Sequence, residues 1–353
     1  MVPALALADV LTARGYEVHF CGGPRGMEGS LVPRAGYSFT PVRIRGFERH
    51  LGVTTLRTLA SLPTAALDAW KLLARLRPSA VIGVGAYASG PVVAEAAVRR
   101  IPTVAVEMDA HLGWTNRILG LLVDRVCLSF PLEEERGKKF VYTGRPLRPA
   151  LLAATREDGL ARFRLDASLP VVLVFGGSLG ARSLNDAALA AWSGRTTAFS
   201  LLHVTGERDF ERVRSAVAAG GKPRYQTHAY LDDFPLALAA TDVAVGRAGG
   251  SVAELLARGV PSVLVPYPHA TADHQTKNAR TLEEAGAAAC VPDEEVTGIR
   301  LAGEVERLLE PETWERMHQA ALALARPDAA ERIVEQIVSL TGPQPAAKEV
   351  VAP

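Results

Sequence analysis

At 353 residues with 48% hydrophobic side chains, the chain carries apolar material for more than one core, and two domains of about 100 to 200 residues each are the natural division. No apolar run reaches the roughly 18 residues that span a bilayer, and the start lacks a signal-peptide layout, so the sequence reads as a soluble or peripheral protein rather than a membrane-spanning one. The net charge of +1 hides an asymmetry: residues 1–150 hold 19 Lys+Arg against 12 Asp+Glu, and the remainder 20 against 26.

An excess of cations in the first half suits an anionic membrane surface or a phosphorylated lipid, with uneven solvated charge as the alternative. No basic stripe interleaved with aromatics accompanies it, so nucleic acid is not an expected partner. Cys21, Cys127 and Cys290 lie in separate apolar runs without ligand spacing and read as reduced core residues.

In chain order, VPALALADVLTARG reads as a helix closed by Gly15, and the strand EVHFC follows at once. A doubly wound domain opens with a strand and a glycine-rich turn before its first helix. Here the chain starts at that helix, so Met1 is expected to be a late or misassigned start. A stretch punctuated by Gly and Pro leads to a strand near residues 39–44. Next comes a helical region divided at Pro63, in which Leu67, Trp70, Leu73, Ala74 and Arg77 follow helical spacing. That stripe is read first as core-facing, with an apolar face resting on a membrane between Lys71, Arg75 and Arg77 as the alternative.

AVIGVGAYASGPVVAEAAVRR is strand, glycine loop and helix, with Pro91 near the first helical position. In IPTVAVEMDAHLGWTNRILG, polar Glu107, Asp109 and His111 stand at a strand's carboxyl end, where pockets form. DRVCLSFP and FVYTGRPLRPAL close the first domain. The second opens with LPVVLVFGGSLGARSLNDAALAAW, an apolar strand running into Gly176–Ala181 and then a helix. This layout offers amides to a phosphate at a helix amino terminus, with a packing turn as the alternative. It is neither a Walker loop nor a GxGxxG fingerprint.

The stretch from Asp242 to Ala279 holds two consecutive β-to-α turns. Gly249 and Gly250 let backbone amides approach a ligand before a helix opening at Ser251. Glu254, in its first turn, has two readings that can coexist: a capping acid in an SxxE pattern with Ser251, or an acceptor for two vicinal hydroxyls such as those of a ribose.

This stretch, with PYPHATADHQTKNA, resembles the donor-binding half of the MurG family, whose pattern is a small-residue turn, a helix Glu and a PFPHAxxxHQxxNA loop. The likeness extends from Pro3 to about Leu340. ASGP resembles the family's GGYxSGP loop, TGRPLR its TGNPVR segment, and Asp109 stands where a HEQN-like sequence places its Asn. The turn between Arg247 and Glu254 is one residue shorter than usual.

The resemblance implies an α/β chain of the GT-B class, two doubly wound Rossmann-like domains facing across a cleft. Residues 1–147 plus 327–340 would form the acceptor- and membrane-facing domain and 148–326 the UDP-sugar domain, with 341–353 a disordered tail. It implies an inverting transferase that moves N-acetylglucosamine from UDP-N-acetylglucosamine to undecaprenyl-linked lipid I at the cytoplasmic face of the membrane, without a cofactor. The substrate-binding residues so implied are Asp109, Arg148, Ser178, Leu231, Gly249, Gly250, Ser251, Glu254, His274 and Gln275, with Leu231 offering its backbone to uracil. No Asp-x-Asp motif occurs, so no metal is expected on the diphosphate, and His269, Asp273 and His274 are read as sugar and phosphate contacts rather than ligands. The family's candidate base is a His in the glycine loop that this chain lacks, which leaves the catalytic residue unassigned. A diacylglycerol-dependent glycolipid synthase and a UDP-sugar-binding protein without turnover stay open as alternatives.

Overall fold

The computed structural model describes residues 1–23, 28–42, 53–84, 89–132, 137–177, 180–221, 224–270 and 273–342. The chain divides into two compact units, Met1–Arg148 rejoined by the chain from Pro327, and Pro149–Arg326.

The first unit runs α1 (Val2–Ala13), β1 (His19–Gly22), α2 (Glu28–Arg34), β2 (Ser38–Pro41), α3 (Val53–Leu76), β3 (Val81–Val84), α4 (Gly90–Val98), β4 (Thr103–Glu107), α5 (Trp114–Leu122), β5 (Arg125–Leu128) and β6 (Phe140–Tyr142). The second runs α6 (Pro149–Ala153), α7 (Arg156–Phe163), β7 (Val171–Phe175), α8 (Arg182–Trp192), β8 (Ser200–Val204), α9 (Phe210–Gly220), β9 (Tyr225–His228), α10 (Phe234–Ala240), β10 (Val243–Gly246), α11 (Val252–Ala257), β11 (Ser262–Leu264), α12 (His274–Glu284), β12 (Ala288–Cys290), a 3₁₀ turn (Asp293–Glu295), α13 (Gly298–Leu309) and α14 (Pro311–Leu324). The returning helix α15 (Ala329–Thr341) belongs to the first unit.

Among the described residues all strand pairs are parallel, and their sequences show why. A parallel sheet covered by helices on both faces buries every residue, so its strands read as continuous apolar runs. VVLVF in β7 and TVAVE in β4 are buried along their whole length. In the second unit the order is β12-β11-β10-β7-β8-β9, with Val172 of β7 opposite Val243 of β10 and Leu201 of β8. The order reverses between β7 and β10, and in open sheets of this kind ligands bind beyond the carboxyl ends of the strands at that reversal. A core including Val174, Leu184, Val245, Val263, Leu301 and Leu308 holds α8 and α13 to this sheet.

The first unit has a parallel β1–β2 pair and a sheet ordered β3-β4-β5-β6. One face of the latter packs on α1 and α15 through Leu7, Leu11, Val104, Val106, Ile333 and Ile337. The other packs on α4 and α5 through Val93, Ala105, Leu119 and Val126.

Two expectations are corrected here. Pro63 does not divide the helical region; it lies inside the continuous α3, at an exposed position where water can serve the carbonyl left without an N–H. The stripe through Trp70 is not core-facing. The buried face of α3 is Ala65, Ala69, Leu72 and Leu73, while Leu67 is 57% and Trp70 51% exposed and Ala74 and Arg77 are also exposed. Residues 67, 70 and 74 keep helical spacing among themselves, yet they lie on the opposite face from 65, 69 and 72. Cys21 is half-buried and Cys127 fully buried, both free, and desolvation pushes their thiols up to about 11 and about 12. Neither is a nucleophile near neutral pH.

Candidate active site

At the sheet reversal of the second unit, two turns leave adjacent strands. The first follows β7 and closes tightly: a Cβ on Gly176 would lie 2.2 Å from the Ala181 nitrogen. Gly180 adopts φ +75°, and a Cβ there would lie 2.1 Å from the Thr205 carbonyl oxygen. Both contacts require glycine, and they bring the backbone up to the start of α8, whose N-cap Ala181 has no side chain to accept from its first amides. Such a terminus is suited to an anion. Ser178 lies outside the described residues. Ser183 is not available to a phosphate, because its hydroxyl donates to Asp293 Oδ1 (2.6 Å) and accepts from Arg247 (3.0 Å).

The second turn follows β10 and contains Gly249, Gly250 and Ser251. Its Ala248 carbonyl accepts from Asn278 Nδ2 at 3.0 Å, which fastens it to α12. Ser251 is the N-cap of α11 and its side chain makes no cap bond, so the reciprocal capping box between Ser251 and Glu254 is not formed from the serine side. Glu254 sits half-buried in the first turn of that helix.

The third loop, between β11 and α12, carries Gln275 and His274. The Gln275 Oε1 accepts from the Tyr267 N–H at 3.0 Å. The Oε1 thus serves the loop itself, while the NH₂ group lies near Gly249. His274 is the first residue of α12, and His269 meets the Tyr267 ring edge-on at 5.5 Å. Among the described residues no group of three His, Cys, Asp or Glu is arranged to hold a metal ion, and His269, Asp273 and His274 form no such group.

Leu231 follows β9, two strands from the reversal, with its side chain buried and Tyr230 beside it exposed. Asp109 and Arg148 belong to the first unit. Arg148 is half-buried, and its buried Nε has no hydrogen-bond partner. Asp109 lies in the loop after β4, and that loop is organised by Glu107. Glu107 was a pocket candidate; instead it is 5% exposed and accepts from Met108 N (2.9 Å), Asp109 N (3.2 Å), Gly113 N (2.8 Å) and Asn116 Nδ2 (2.9 Å). Arg145 adds a bond to the Met108 carbonyl at 3.2 Å. The carboxylate therefore folds residues 108–113 around itself and caps α5, and acts on Asp109 through the backbone.

A buried polar chain also escaped the sequence reading. His203 bonds Tyr225 OH through Nδ1 and Asn185 Oδ1 through Nε2, both at 2.9 Å, and Asn185 Nδ2 donates to the Thr205 carbonyl and to Asp209. Burial pushes His203 down to about 3, so it is neutral; an amide oxygen can only accept, so Nε2 carries the hydrogen and Nδ1 accepts from the tyrosine. In sequence, a single His within LLHVTG gave no signal of this.

Over 350 residues, 95% of this chain and 94% of the relative, the chain is 40% identical to the UDP-N-acetylglucosamine--N-acetylmuramyl-(pentapeptide) pyrophosphoryl-undecaprenol N-acetylglucosamine transferase of Moorella thermoacetica. The crystal structure of Acinetobacter baumannii MurG is similar to it with a TM-score of 0.78 and 28% identity, over 96% of this chain and 95% of that one. The chain belongs to the MurG family. Membership in the MurG family is borne out along the chain: residues 1–128 match the glycosyltransferase family 28 N-terminal domain and residues 171–333 the C-terminal domain. The transferase of the same name from Halothermothrix orenii is 35% identical over 349 residues, 95% of this chain and 94% of that protein. Like other MurG family members the chain is a glycosyltransferase, with the GT-B fold of two Rossmann-like parallel-sheet domains.

Proposed function

We propose that this chain transfers N-acetylglucosamine from UDP-N-acetylglucosamine to the C4 hydroxyl of the muramyl sugar of lipid I, with inversion, at the cytoplasmic face of the membrane. The observation that carries the reading is the gathering, around one sheet reversal, of the glycine turn before α8, the Glu254 turn and the Gln275 amide, in a chain matched over 95% of its length by a transferase of that name.

The reaction needs a stabilised leaving diphosphate, a base for the acceptor hydroxyl and alignment of both at the anomeric carbon. The first task falls to the backbone amides of the turn ending at Gly180 and to the start of α8, where the helix dipole favours negative charge. Glu254 accepts the ribose hydroxyls. The Gln275 amide donates to the diphosphate or sugar, with His274 beside it, while Gly249, Gly250 and Ser251 supply backbone approach. Leu231 serves uracil through its backbone, and Arg148 and Asp109 of the first unit serve nucleotide and sugar. Asp109 accepts from hydroxyls and cannot donate.

Docking to an anionic membrane falls to the first unit. Leu67, Trp70, Val98, Ile118, Leu121 and Leu122 are exposed there, and Arg99 stacks over the Trp70 ring at 5.3 Å. Lys71, Arg75 and Arg117 are exposed on the same helices. Apolar side chains with cations between them suit a lipid interface. No helix among the described residues is long and apolar enough to cross a membrane.

The test is product analysis with UDP-N-acetylglucosamine and either lipid I or diacylglycerol, together with UDP calorimetry on Glu254→Ala. Each hydrogen bond to a charged group contributes about 1.5–3 kcal/mol, so that variant is expected to bind UDP roughly tenfold or more weakly. Turnover on diacylglycerol alone, or no turnover at all, would overturn the assignment, and an unchanged UDP affinity would remove Glu254 from the site.

A further inference from the structure

Loops leaving neighbouring parallel strands are not joined by the sheet's own ladder, so a site built from several of them needs cross-links to hold its geometry. The need is acute beyond β11 and β12, which are three residues long each. Arg247, the first residue after β10, supplies such links. Its Nη1 donates to the Val265 and Pro266 carbonyls just past β11, at 3.1 and 3.0 Å, and to Asp293 Oδ1 just past β12, at 2.5 Å. Its Nη2 donates to Ser183 Oγ in the first turn of α8, at 3.0 Å. Ser183 closes the circuit by donating to the same Asp293 oxygen at 2.6 Å.

The guanidinium also lies over the Tyr267 ring at 5.6 Å, and the side chain is only 11% exposed. An arginine at the carboxyl edge of a phosphate-binding sheet invites the reading of a phosphate ligand. The acceptors it meets are the protein's own, drawn from the three segments that follow β7, β11 and β12, while Arg247 itself follows β10. Asp293 supplies the counter-charge that a guanidinium so buried requires. A lysine could not replace it, because a point charge has no planar fork with which to reach acceptors in several directions.

We infer that Arg247, Ser183 and Asp293 are positioning residues that preset the donor site, locking the turn before α8, the Glu254 turn and the Gln275 loop into one register. This rests on the donor-site reading above. The consequences are local: Tyr267, whose ring the guanidinium faces, gives its N–H to Gln275, and Ala248, next in sequence to Arg247, gives its carbonyl to Asn278. Loss of the lock lets the Gln275 amide drift from Gly249 without removing any ligand contact directly.

The experiment compares Arg247→Lys, Asp293→Asn, Ser183→Ala and Ser183→Thr in the full chain, at a temperature where every variant is folded. The readouts are donor and acceptor KM, UDP affinity by calorimetry, and hydrogen exchange of residues 264–270 and 293–295. Displacement of reacting groups by about 1 Å costs up to about a hundredfold, so Arg247→Lys is expected to raise donor KM and weaken UDP about ten- to a hundredfold, with acceptor KM nearly constant. Ser183→Ala should give a smaller shift in the same direction, and Ser183→Thr, which keeps the hydroxyl, should return to wild-type values. Exchange in both segments should quicken in Arg247→Lys and Ser183→Ala. Should Arg247→Lys fail to fold, the Ser183 pair carries the comparison. Donor KM and UDP affinity within about twofold of wild type, or unchanged exchange, would overturn the lock. A wild-type chain that binds no UDP would instead remove the donor-site reading, and the exchange measurement would then decide the lock by itself.

Discussion

Substituting Glu107 by Gln tests how the loop bearing Asp109 is held. Each carboxylate oxygen accepts from two donors, Oε1 from the Met108 and Asp109 amides and Oε2 from the Gly113 amide and Asn116 Nδ2. Whichever way a glutamine amide turns, its NH₂ faces two N–H groups and leaves both without an acceptor. A buried donor left unsatisfied costs about 1–3 kcal/mol, so the substitution should destabilise by about 2–6 kcal/mol, a large part of a typical stability of about 5–15 kcal/mol. Urea unfolding followed by fluorescence and far-UV circular dichroism would measure it. Adding Asn116→Asp supplies a carboxylate for the glutamine NH₂ and should recover part of the loss, which a general packing defect would not allow. A loss under about 1 kcal/mol in Glu107→Gln, with no recovery in the double variant, would refute the account.

Gln275→Glu keeps an oxygen for the Tyr267 N–H and removes only the donor near Gly249; donor KM should rise about tenfold with little change in thermal midpoint, and an unchanged KM would limit Gln275 to holding its loop. Sedimentation with anionic vesicles should show binding that falls with salt and in Trp70→Ser, whereas equal binding to neutral vesicles would count against the charged apolar face. His203 is held neutral at about 3 in the fold, while unfolded histidine protonates near 6.5. Between those values the unfolded chain binds one more proton, so this contribution to stability is complete above about pH 6.5 and is lost as pH falls, by about 1.4 kcal/mol per unit. His203→Gln, whose amide can still serve Tyr225 and Asn185, should flatten the stability–pH curve between about pH 4 and 6, and an unchanged slope would show that His203 does not titrate on unfolding.

The strands were legible because burial on both faces demands runs such as VVLVF, and the turns because a glycine where a Cβ would strike backbone leaves no substitute. The α3 stripe was misread because spacing alone names a face without saying which way it points. Leu73 satisfied the same pattern as Leu67 and Trp70, and only packing separates them. The Arg247 links were beyond reading for another reason: Ser183 and Asp293 lie 64 and 46 residues from it, and nothing local marks a serine or an aspartate for such a partner. Gln275 lay between these cases. Its place in a motif was plain, but the Tyr267 bond that occupies half its amide depends on how the loop closes.

Helix α15 completes the core of the first unit with Ile333, Val334 and Ile337 packed against Leu7, Leu11, Val104 and Val106, although the whole second unit intervenes in sequence. During synthesis, therefore, the first unit emerges from the ribosome without one wall of its apolar interior. At about 5 to 20 residues per second it waits on the order of 10 to 40 s for that wall, while the later-made unit is already whole. The half of the chain translated first is thus the half that finishes folding last, and for that interval its exposed sheet face is a natural client for chaperones.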